Sequence, residues 1–312
     1  MTARAALTEA LARLDALAAE RGLALRSDAP LAPITTLRVG GPADRLVEPS
    51  TRDELLAALS VADGSGVPWT VLGNGSDVVV SDQGVRGLVI RNRARAITLG
   101  AGGAEADSGT PMALLVKRAT AAGLSGLEWG IAVPGTVGGA VWANAGAHGG
   151  EMGACVLTVD AWDPTIGDLR QLAKAECAFA YRDSRFKHEK LVVIGASVAL
   201  RPAPGAEVAA RVEAFQAQRV ATQPLAEQNA GSVFRNPPGD YAGRLIEAAG
   251  LKGTREGSAS VSERHANFIV SDRGGSAADV RILAERVQAT VLASSGVALV
   301  FEIEFIGEWT TS

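Results

Sequence analysis

Between Trp129 and Glu151 the chain reads WGIAVPGTVGGAVWANAGAHGGE, and this stretch limits the fold more than any other. Pro134, Gly135, Gly138, Gly139, Gly146, Gly149 and Gly150 punctuate it, and Ala140, Ala143, Ala145 and Ala147 add small side chains. A segment so stripped reads as a loop whose backbone a flat cofactor or its phosphates can approach. Without a ligand the same residues make only a tight sheet corner. A second small-residue turn, Leu72-Gly73-Asn74-Gly75-Ser76-Asp77, follows a strand-like run. Successive N–H groups in such a turn form a concavity suited to a pyrophosphate. Neither segment contains G-x-G-x-x-G or G-x-x-x-x-G-K-[ST], which argues against a Rossmann fingerprint and a P-loop.

The chain has 312 residues, 47% of them apolar. Its length suggests two domains at about 150 residues each. The net charge of −4 comes without a block of like charge, which argues against a nucleic-acid or polybasic membrane footprint. Cys155 and Cys177 form no CxxC and fit a reducing cytosol. The first residues carry charges throughout, unlike a signal peptide, and the longest apolar run, LVVIGASVAL, is about half a membrane span. His148, His188 and His265 lack metal-ligand spacing, so no metal site is expected.

Leu7, Leu11, Leu14 and Leu17 recur at helical spacing, which predicts an amphipathic helix closed by Pro30 and Pro33. Residues 45–80 then read strand, helix, strand, with Ser50 or Thr51 as helix cap and Gly64 and Gly66 at the exit. VRGLVIRN adds a strand, as in a βαβ unit. Beyond residue 93 come strand AITLGAG, helix PMALLVKRATAAG, the Gly-rich loop, strand VLTVDAWD, a turn and strand LVVIGASVALRP. After RPAPGA, the best linker candidate, a helix over 206–221 leads to a loop, helix YAGRLIEAAG, strand NFIVSD, a helix over 276–294 and strand ALVFEIEFIG. The alternation places the chain in the α/β or α+β class.

Three short motifs carry candidate chemistry. YRDSRFK brings together Tyr181, Arg182, Ser184, Arg185 and Lys187. An arginine there can clamp a carboxylate with two donors, although a solvated basic turn has the same composition. NAGSVFRNP sets Ser232 between Gly231 and Val233, with Pro237 and Pro238 fixing the exit. It is not G-x-S-x-G, so a hydrolase nucleophile is poorly supported. FEIEFIG alternates Phe301, Ile303 and Phe305 against Glu302 and Glu304, which also suits a half-exposed strand with two solvated carboxylates.

Taken in order, TTLRVGGPADRLVEP, VLGNGSDVVVSD, GLSGLEWGIAVPGTVGGAVWANAGAHGGE, YRDSRFK, QPLAEQNAGSVFRNPPG, GRLIEAAGLKG, SVSERHANFIV and FEIEFIG span about residues 35–307. Together they resemble the UDP-N-acetylenolpyruvoylglucosamine reductase (MurB) family. The resemblance implies an α+β fold in three parts. Residues 1–92 and 93–202 would form a two-part FAD-binding region of the vanillyl-alcohol oxidase-like, non-Rossmann type, and 203–312 an α+β substrate domain. The length fits the shorter class, which lacks a tyrosine-bearing loop over the substrate.

The same resemblance implies noncovalent FAD, NADPH as hydride donor, and reduction of an enolpyruvyl sugar nucleotide to UDP-N-acetylmuramate in peptidoglycan precursor synthesis. Arg182 and Glu302 match residues that stabilise the enolic intermediate, and Ser232 the proton donor. The flavin positions are Leu72, Gly73, Asn74, Gly75, Ser76 and Asp77, with Val133, Pro134, Gly135, Thr136, Gly138, Gly139, Asn144, Ala145 and Gly146. Tyr181, Lys187, Arg219, Arg235 and Asn236 match substrate contacts. A cytoplasmic monomer is expected, acting on small molecules with neither nucleic acid nor membrane as partner.

Several positions depart from common family forms. Val133 stands for Ile, Arg235 for Lys, and Thr222 for a basic residue whose place Arg219 could take by reaching one helical turn forward. Glu304 stands where many members have Arg, which sets two carboxylates on one strand face. Two rivals are a sugar or alcohol oxidase of the same flavin fold and a nucleotide-sugar-binding protein without catalysis. The first would not need Ser232 and Glu302 in matching context, and no attachment His lies near 73–77. The second conflicts with intact Arg182, Ser232 and Glu302.

Overall fold

The computed structural model describes residues 3–309. Helix α1 (Ala3–Glu20) buries Leu14 and Ala18. It stops at Gly22, where φ is +67°, and the Leu23 N–H returns to the Ala18 carbonyl at 2.9 Å. A left-handed glycine ends the helix, not Pro30 and Pro33 as the sequence suggested, and Arg26–Pro30 is strand β1. Strand β2 (Pro42–Val47) leads to α2 (Arg52–Ser65). Of the two candidate caps Thr51 is the one used: its hydroxyl accepts the Glu54 N–H at 3.2 Å, while the Glu54 carboxylate accepts the Ser50 N–H at 2.7 Å. Gly66, at φ +74°, closes α2.

Strands β3 (Trp69–Leu72), β4 (Val78–Val80) and β5 (Val85–Arg91) follow. Next come β6 (Ile97–Gly100), β7 (Gly103–Asp107), α3 (Met112–Ala121), α4 (Val137–Trp142), β8 (Val156–Asp163), β9 (Asp168–Ala173) and β10 (Val192–Ala199). Several strands were not anticipated: Arg26–Pro30 falls where the first helix was expected to close, Gln228–Ser232 lies in an expected loop, and Arg255–Glu256 and Ala259–Val261 had no strand reading, nor had β7 and β9. Strand β7 is GAEAD, with no β-branched residue to mark it, and β9 is DLRQLA, a polar edge strand. The last elements are α5 (Gly205–Thr222), β11 (Gln228–Ser232), α6 (Ala242–Ala248), β12 (Arg255–Glu256), β13 (Ala259–Val261), β14 (Phe268–Ser271), α7 (Ala277–Ser295) and β15 (Glu304–Ile306).

The chain forms two compact units. One takes the chain up to Ser27, Arg45–Asn74 and Gly87–Gln218; the other takes Asp28–Asp44, Gly75–Arg86 and the chain from Arg219. In the first, β3 pairs in parallel with β5, from Trp69–Leu88 to Leu72–Arg91. One core there joins α1 and α2 to Leu88, Ile90 and Ile194. Asp63 ties it together by accepting both indole N–H groups, from Trp69 at 3.0 Å and Trp162 at 2.9 Å. The other core lies on the antiparallel sheet β9-β8-β10-β7-β6 and takes Met112, Leu115, Val137 and Val141 from α3 and α4. Val212 and Phe215 of α5 pack into it, which is why the division falls inside that helix and not at RPAPGA.

In the second unit the antiparallel sheet β11-β14-β13-β12 packs against α7 through Val261, Ile269, Leu283 and Val287. Strand β15 pairs in parallel with β4, Glu304 opposite Val78. Asp82 satisfies the start of α7: its carboxylate accepts the N–H groups of Ala277 at 2.9 Å and Ala278 at 3.0 Å. Among the described residues no helix is long and apolar enough to cross a membrane.

Candidate functional site

The Gly-rich stretch is not all loop. Residues 137–142 form the single turn-and-a-half of α4, capped by Thr136 and buried through Val137, Ala140 and Val141. Close approach forces two of the segment's glycines. A Cβ on Gly138 would lie 2.8 Å from the Ser108 Cβ, and one on Gly150 would lie 2.2 Å from the Trp129 indole. Gly139 and Gly149 instead face open space, with nothing nearer than 3.8 Å to a Cβ on the former and nothing within 4 Å on the latter. The two small-residue segments predicted separately meet within the first unit. A Cβ on Gly73 would lie 2.4 Å from the Thr136 hydroxyl, and the Asn74 amide donates to the Gly135 carbonyl at 3.4 Å. Pro134, Gly139 and Asn74 are exposed around this junction and Leu72 is buried beneath it. A bare, exposed backbone of this kind leaves room for the flat ring and phosphates of a flavin.

Asn144 was expected at the flavin, but its side chain is spent on the protein. It is fully buried, its amide donates to the Ala180 carbonyl at 2.7 Å, and its oxygen accepts the Gly153 N–H at 2.8 Å. Ala180 also exchanges two backbone hydrogen bonds with Asp183, each 3.0 Å, which closes a turn over Tyr181 and Arg182. Arg182 holds φ +54°, a left-handed conformation costly for a long side chain such as arginine. Its guanidinium donates to the Gly146 carbonyl at 2.8 Å and lies 5.2 Å from the centre of the exposed Tyr181 ring. Asn144 and Gly146 thus stitch the Gly-rich segment to the Arg182 turn at two points. Ala145 sits between them, its N–H bonded to the Ala140 carbonyl. Lys187, half-buried, stands 4.1 Å over the Trp142 ring, and the buried Ser184 hydroxyl donates to the Trp142 carbonyl at 2.6 Å.

The stem of this segment is anchored by Glu128, which is 7% exposed. Burial pushes its pKa up, but hydrogen bonds from Arg211, Gly126 and Ser125 outweigh that and bring it from 4.5 to about 2.

In the second unit, Gly75 at φ +59° packs where a Cβ would meet the Ile34 carbonyl at 2.7 Å, and its own carbonyl accepts the Thr36 N–H at 2.9 Å. The Thr36 hydroxyl donates to the Asn229 carbonyl at 2.7 Å, which ties this turn to β11. Asn229 pairs with Val270 and Ser232 with Phe268, so β11 carries one extra residue, with Gly231 at φ +80°. Such a bulge re-aims the side chain that follows it, and that side chain is Ser232. Among the described residues no hydrogen bond engages the half-buried Ser232 hydroxyl. A Cβ on Gly231 would lie 3.9 Å from the Ser76 carbonyl, so Ser76 borders the bulge.

FEIEFIG does not form one strand. Phe301 makes an isolated bridge to Phe234, the chain bends at Ile303, and β15 begins at Glu304. The bend lets Phe301 and Phe305 meet edge to face at 5.2 Å while Ile303 enters the core. Glu302 and Glu304 therefore do not share one regular strand face. The Glu302 N–H donates to the Val233 carbonyl at 2.8 Å and the Glu304 N–H to the Asp77 carbonyl at 2.9 Å. The candidate donor Ser232, the carboxylate Glu302 and Asp77 thus lie on neighbouring backbone segments. Arg235 keeps a buried Nε without a partner, and the Asn236 side-chain oxygen accepts the Ala242 N–H at 3.0 Å, capping α6. Arg219 reaches one turn forward, donating to the Gln223 side chain at 3.1 Å, and burial lowers its pKa.

Two family models match this chain: the FAD binding domain over residues 42–172 and the UDP-N-acetylenolpyruvoylglucosamine reductase C-terminal domain over 223–306. The UDP-N-acetylenolpyruvoylglucosamine reductase 2 of Symbiobacterium thermophilum is 45% identical over 91% of this chain and 92% of its own length. The reductase of Moorella thermoacetica is 44% identical over 95% of this chain and 99% of its own. The chain belongs to the UDP-N-acetylenolpyruvoylglucosamine reductase family. The crystal structure of MurB from Thermus caldophilus superposes with a TM-score of 0.77 at 36% identity, covering 91% of this chain and 98% of that one. The FAD model spans both small-residue segments, and the C-terminal model spans Ser232, Arg235, Asn236 and Glu302, whereas Tyr181, Arg182, Lys187 and Arg219 lie in neither. Sequence reading missed Gly146 as the partner of Arg182 and Asn267 as the support of residues 233–234. Asn267 stands in SVSERHANFIV, and its place just ahead of a strand was the signal available.

Proposed function

We propose that this chain is a UDP-N-acetylmuramate dehydrogenase, an NADPH- and FAD-dependent enzyme that reduces UDP-N-acetylglucosamine enolpyruvate in peptidoglycan precursor synthesis. The near-full-length relation to reductases of that name, at 40–45% identity in several of them, carries the reading. In role the chain divides as residues 1–92 and 93–202 for the cofactor and 203–312 for the substrate. FAD held there would supply hydride-transfer chemistry, with NADPH as the source of the reducing equivalents. Leu72–Asp77 and the Val133–Gly146 stretch would hold the flavin on backbone and small side chains, and Gly139 is exposed there with nothing nearer than 3.8 Å to the place of a Cβ.

The protein's own work falls on a few side chains. Arg182 neutralises charge that builds on the substrate carboxylate, and Glu302 is assigned to the same enolic intermediate. Ser232 gives a proton to the carbanion; a hydroxyl is a weak acid, and it serves because the carbanion is strongly basic and the site excludes water. Tyr181, Lys187, Arg219, Arg235 and Asn236 hold the sugar nucleotide, with the unsatisfied Nε of Arg235 as a free donor. We further propose a cytoplasmic monomer with small molecules as its only partners.

Anaerobic stopped-flow tests the reading. The yellow holoenzyme should bleach with NADPH and recover colour with the enolpyruvyl substrate. Ser232→Ala should be reduced normally and reoxidise about 10²–10⁴-fold more slowly, with partial rescue by Ser232→Cys. A colourless protein that takes up no FAD, or a flavin that the enolpyruvyl sugar nucleotide never reoxidises, would refute it.

A further inference from the structure

Asn267 is 4% exposed and grips residues 233–234 with three hydrogen bonds. Its main-chain carbonyl accepts the Val233 N–H at 2.8 Å. Its side-chain oxygen accepts the Phe234 N–H at 3.0 Å, and its amide donates to the Phe234 carbonyl at 2.8 Å. The opposite edge of the same segment carries the other candidate group: Glu302 donates to the Val233 carbonyl at 2.8 Å, Arg235 to the Val300 carbonyl at 2.9 Å, and the Phe234 and Phe301 rings stack at 5.1 Å. Ser232 is the next residue back along the chain, at the exit of the bulge.

We propose that Asn267 is a positioning residue for the second half-reaction, fixing the 233–234 backbone and through it the Ser232 hydroxyl and the Glu302 carboxyl. The inference rests on the roles given above to those two residues. A primary amide presents a donor and an acceptor in fixed geometry, and here both are matched to the two polar groups of a residue only 1% exposed. Aspartate keeps the acceptor but sets a second oxygen against the Phe234 carbonyl. Once protonated it regains the donor, and burial raises the pH at which that happens. Displacement of a reacting group by about 1 Å is enough to cost about 10² in rate.

Holoenzymes of Asn267→Asp and Asn267→Ser decide the matter in single-turnover flavin kinetics. Both should keep FAD and be reduced by NADPH within about twofold of the parent, and both should reoxidise with enolpyruvyl substrate about 10–10²-fold more slowly. The aspartate variant should recover as pH falls from about 8 to about 6. In a Ser232→Ala background the Asn267→Ser penalty should shrink several-fold, because two groups acting through one step are not additive. Normal reoxidation, an equal loss in both half-reactions, full additivity with Ser232→Ala, or loss of FAD in both variants overturns the proposal. Fast reoxidation in Ser232→Ala alone would instead remove the proton-donor role on which it rests.

Discussion

Replacing Arg211 by methionine removes the charged partner of Glu128 while keeping much of the side-chain volume. The Glu128 carboxylate accepts from Arg211 at 2.7 and 3.1 Å, from Ser125 at 2.8 Å and from the Gly126 N–H at 2.8 Å. Its pKa, lowered from 4.5 to about 2 despite burial, corresponds to about 3 kcal/mol of folding free energy. Stranding one member of a buried pair costs about 3–5 kcal/mol. The Arg211 side chain is 42% exposed, so water screens part of the interaction and brings the cost to or below the bottom of that range, about 2–3 kcal/mol. At about 2–4 °C per kcal/mol for a domain of this size, Tm should fall by about 4–12 °C. The sign with pH follows from the depressed carboxyl: the contribution is complete above the ordinary pKa of 4.5 and is lost as pH falls through about 2. Urea unfolding of the parent, Arg211→Met and Glu128→Gln between pH 7 and pH 3 measures both effects. The parent's margin over Glu128→Gln should shrink by about half across that range, because the carboxylate is still mostly ionised in the fold at pH 3. Because residues 128–132 lead directly into Val133–Gly135, Arg211→Met should also weaken FAD retention. An Arg211→Met protein within about 0.5 kcal/mol of the parent at pH 7, or a margin over Glu128→Gln that does not change with pH, would refute the reasoning.

If the guanidinium has the role proposed for it on substrate charge, Arg182→Ala should slow flavin reoxidation by enolpyruvyl substrate about 10²–10³-fold and leave NADPH reduction near normal; equal losses in both would count against that role. Gly73→Ala would force a methyl to 2.4 Å from the buried Thr136 hydroxyl, so it should cost about 1–3 kcal/mol in chemical denaturation and lower FAD occupancy of the purified protein. Burial lowers the pKa of His265, whose Nδ1 accepts the Asn267 N–H at 3.3 Å. Its neutral form is favoured in the fold, so its contribution is present above about pH 6.5 and is lost as pH falls through the lowered value; in thermal melts His265→Gln should abolish part of the drop in Tm between pH 7 and pH 5.

The long helices were legible in the sequence. Residues 206–221 and 276–294 were expected as helices, and α5 and α7 run Gly205–Thr222 and Ala277–Ser295. Local chemistry also marked the glycine segments, because a position that tolerates no Cβ must be glycine wherever its neighbour comes from. The neighbour itself was invisible. That Gly73 faces Thr136 and Gly75 faces Ile34 depends on chain segments brought together by folding. The path of residues 28–44 and 75–86 into the second unit has the same origin, since which core an apolar strand enters is set by packing partners and not by its own pattern. Asn144 and Asn267 make the point at the site. Each amide is matched to backbone 36 or 33 residues away, and a hydrogen bond is short and directional, so no local sequence signal separates a buried latch from a cofactor contact or a surface polar residue. Residue types thus determined which chemistry this chain can carry: a bare backbone for a flat cofactor, an arginine, a serine and a carboxylate. Tertiary structure alone decided how the last three are held, by a strained turn, a one-residue bulge and a bend in the closing strand, because each of those depends on angles and distances that only the packed backbone supplies.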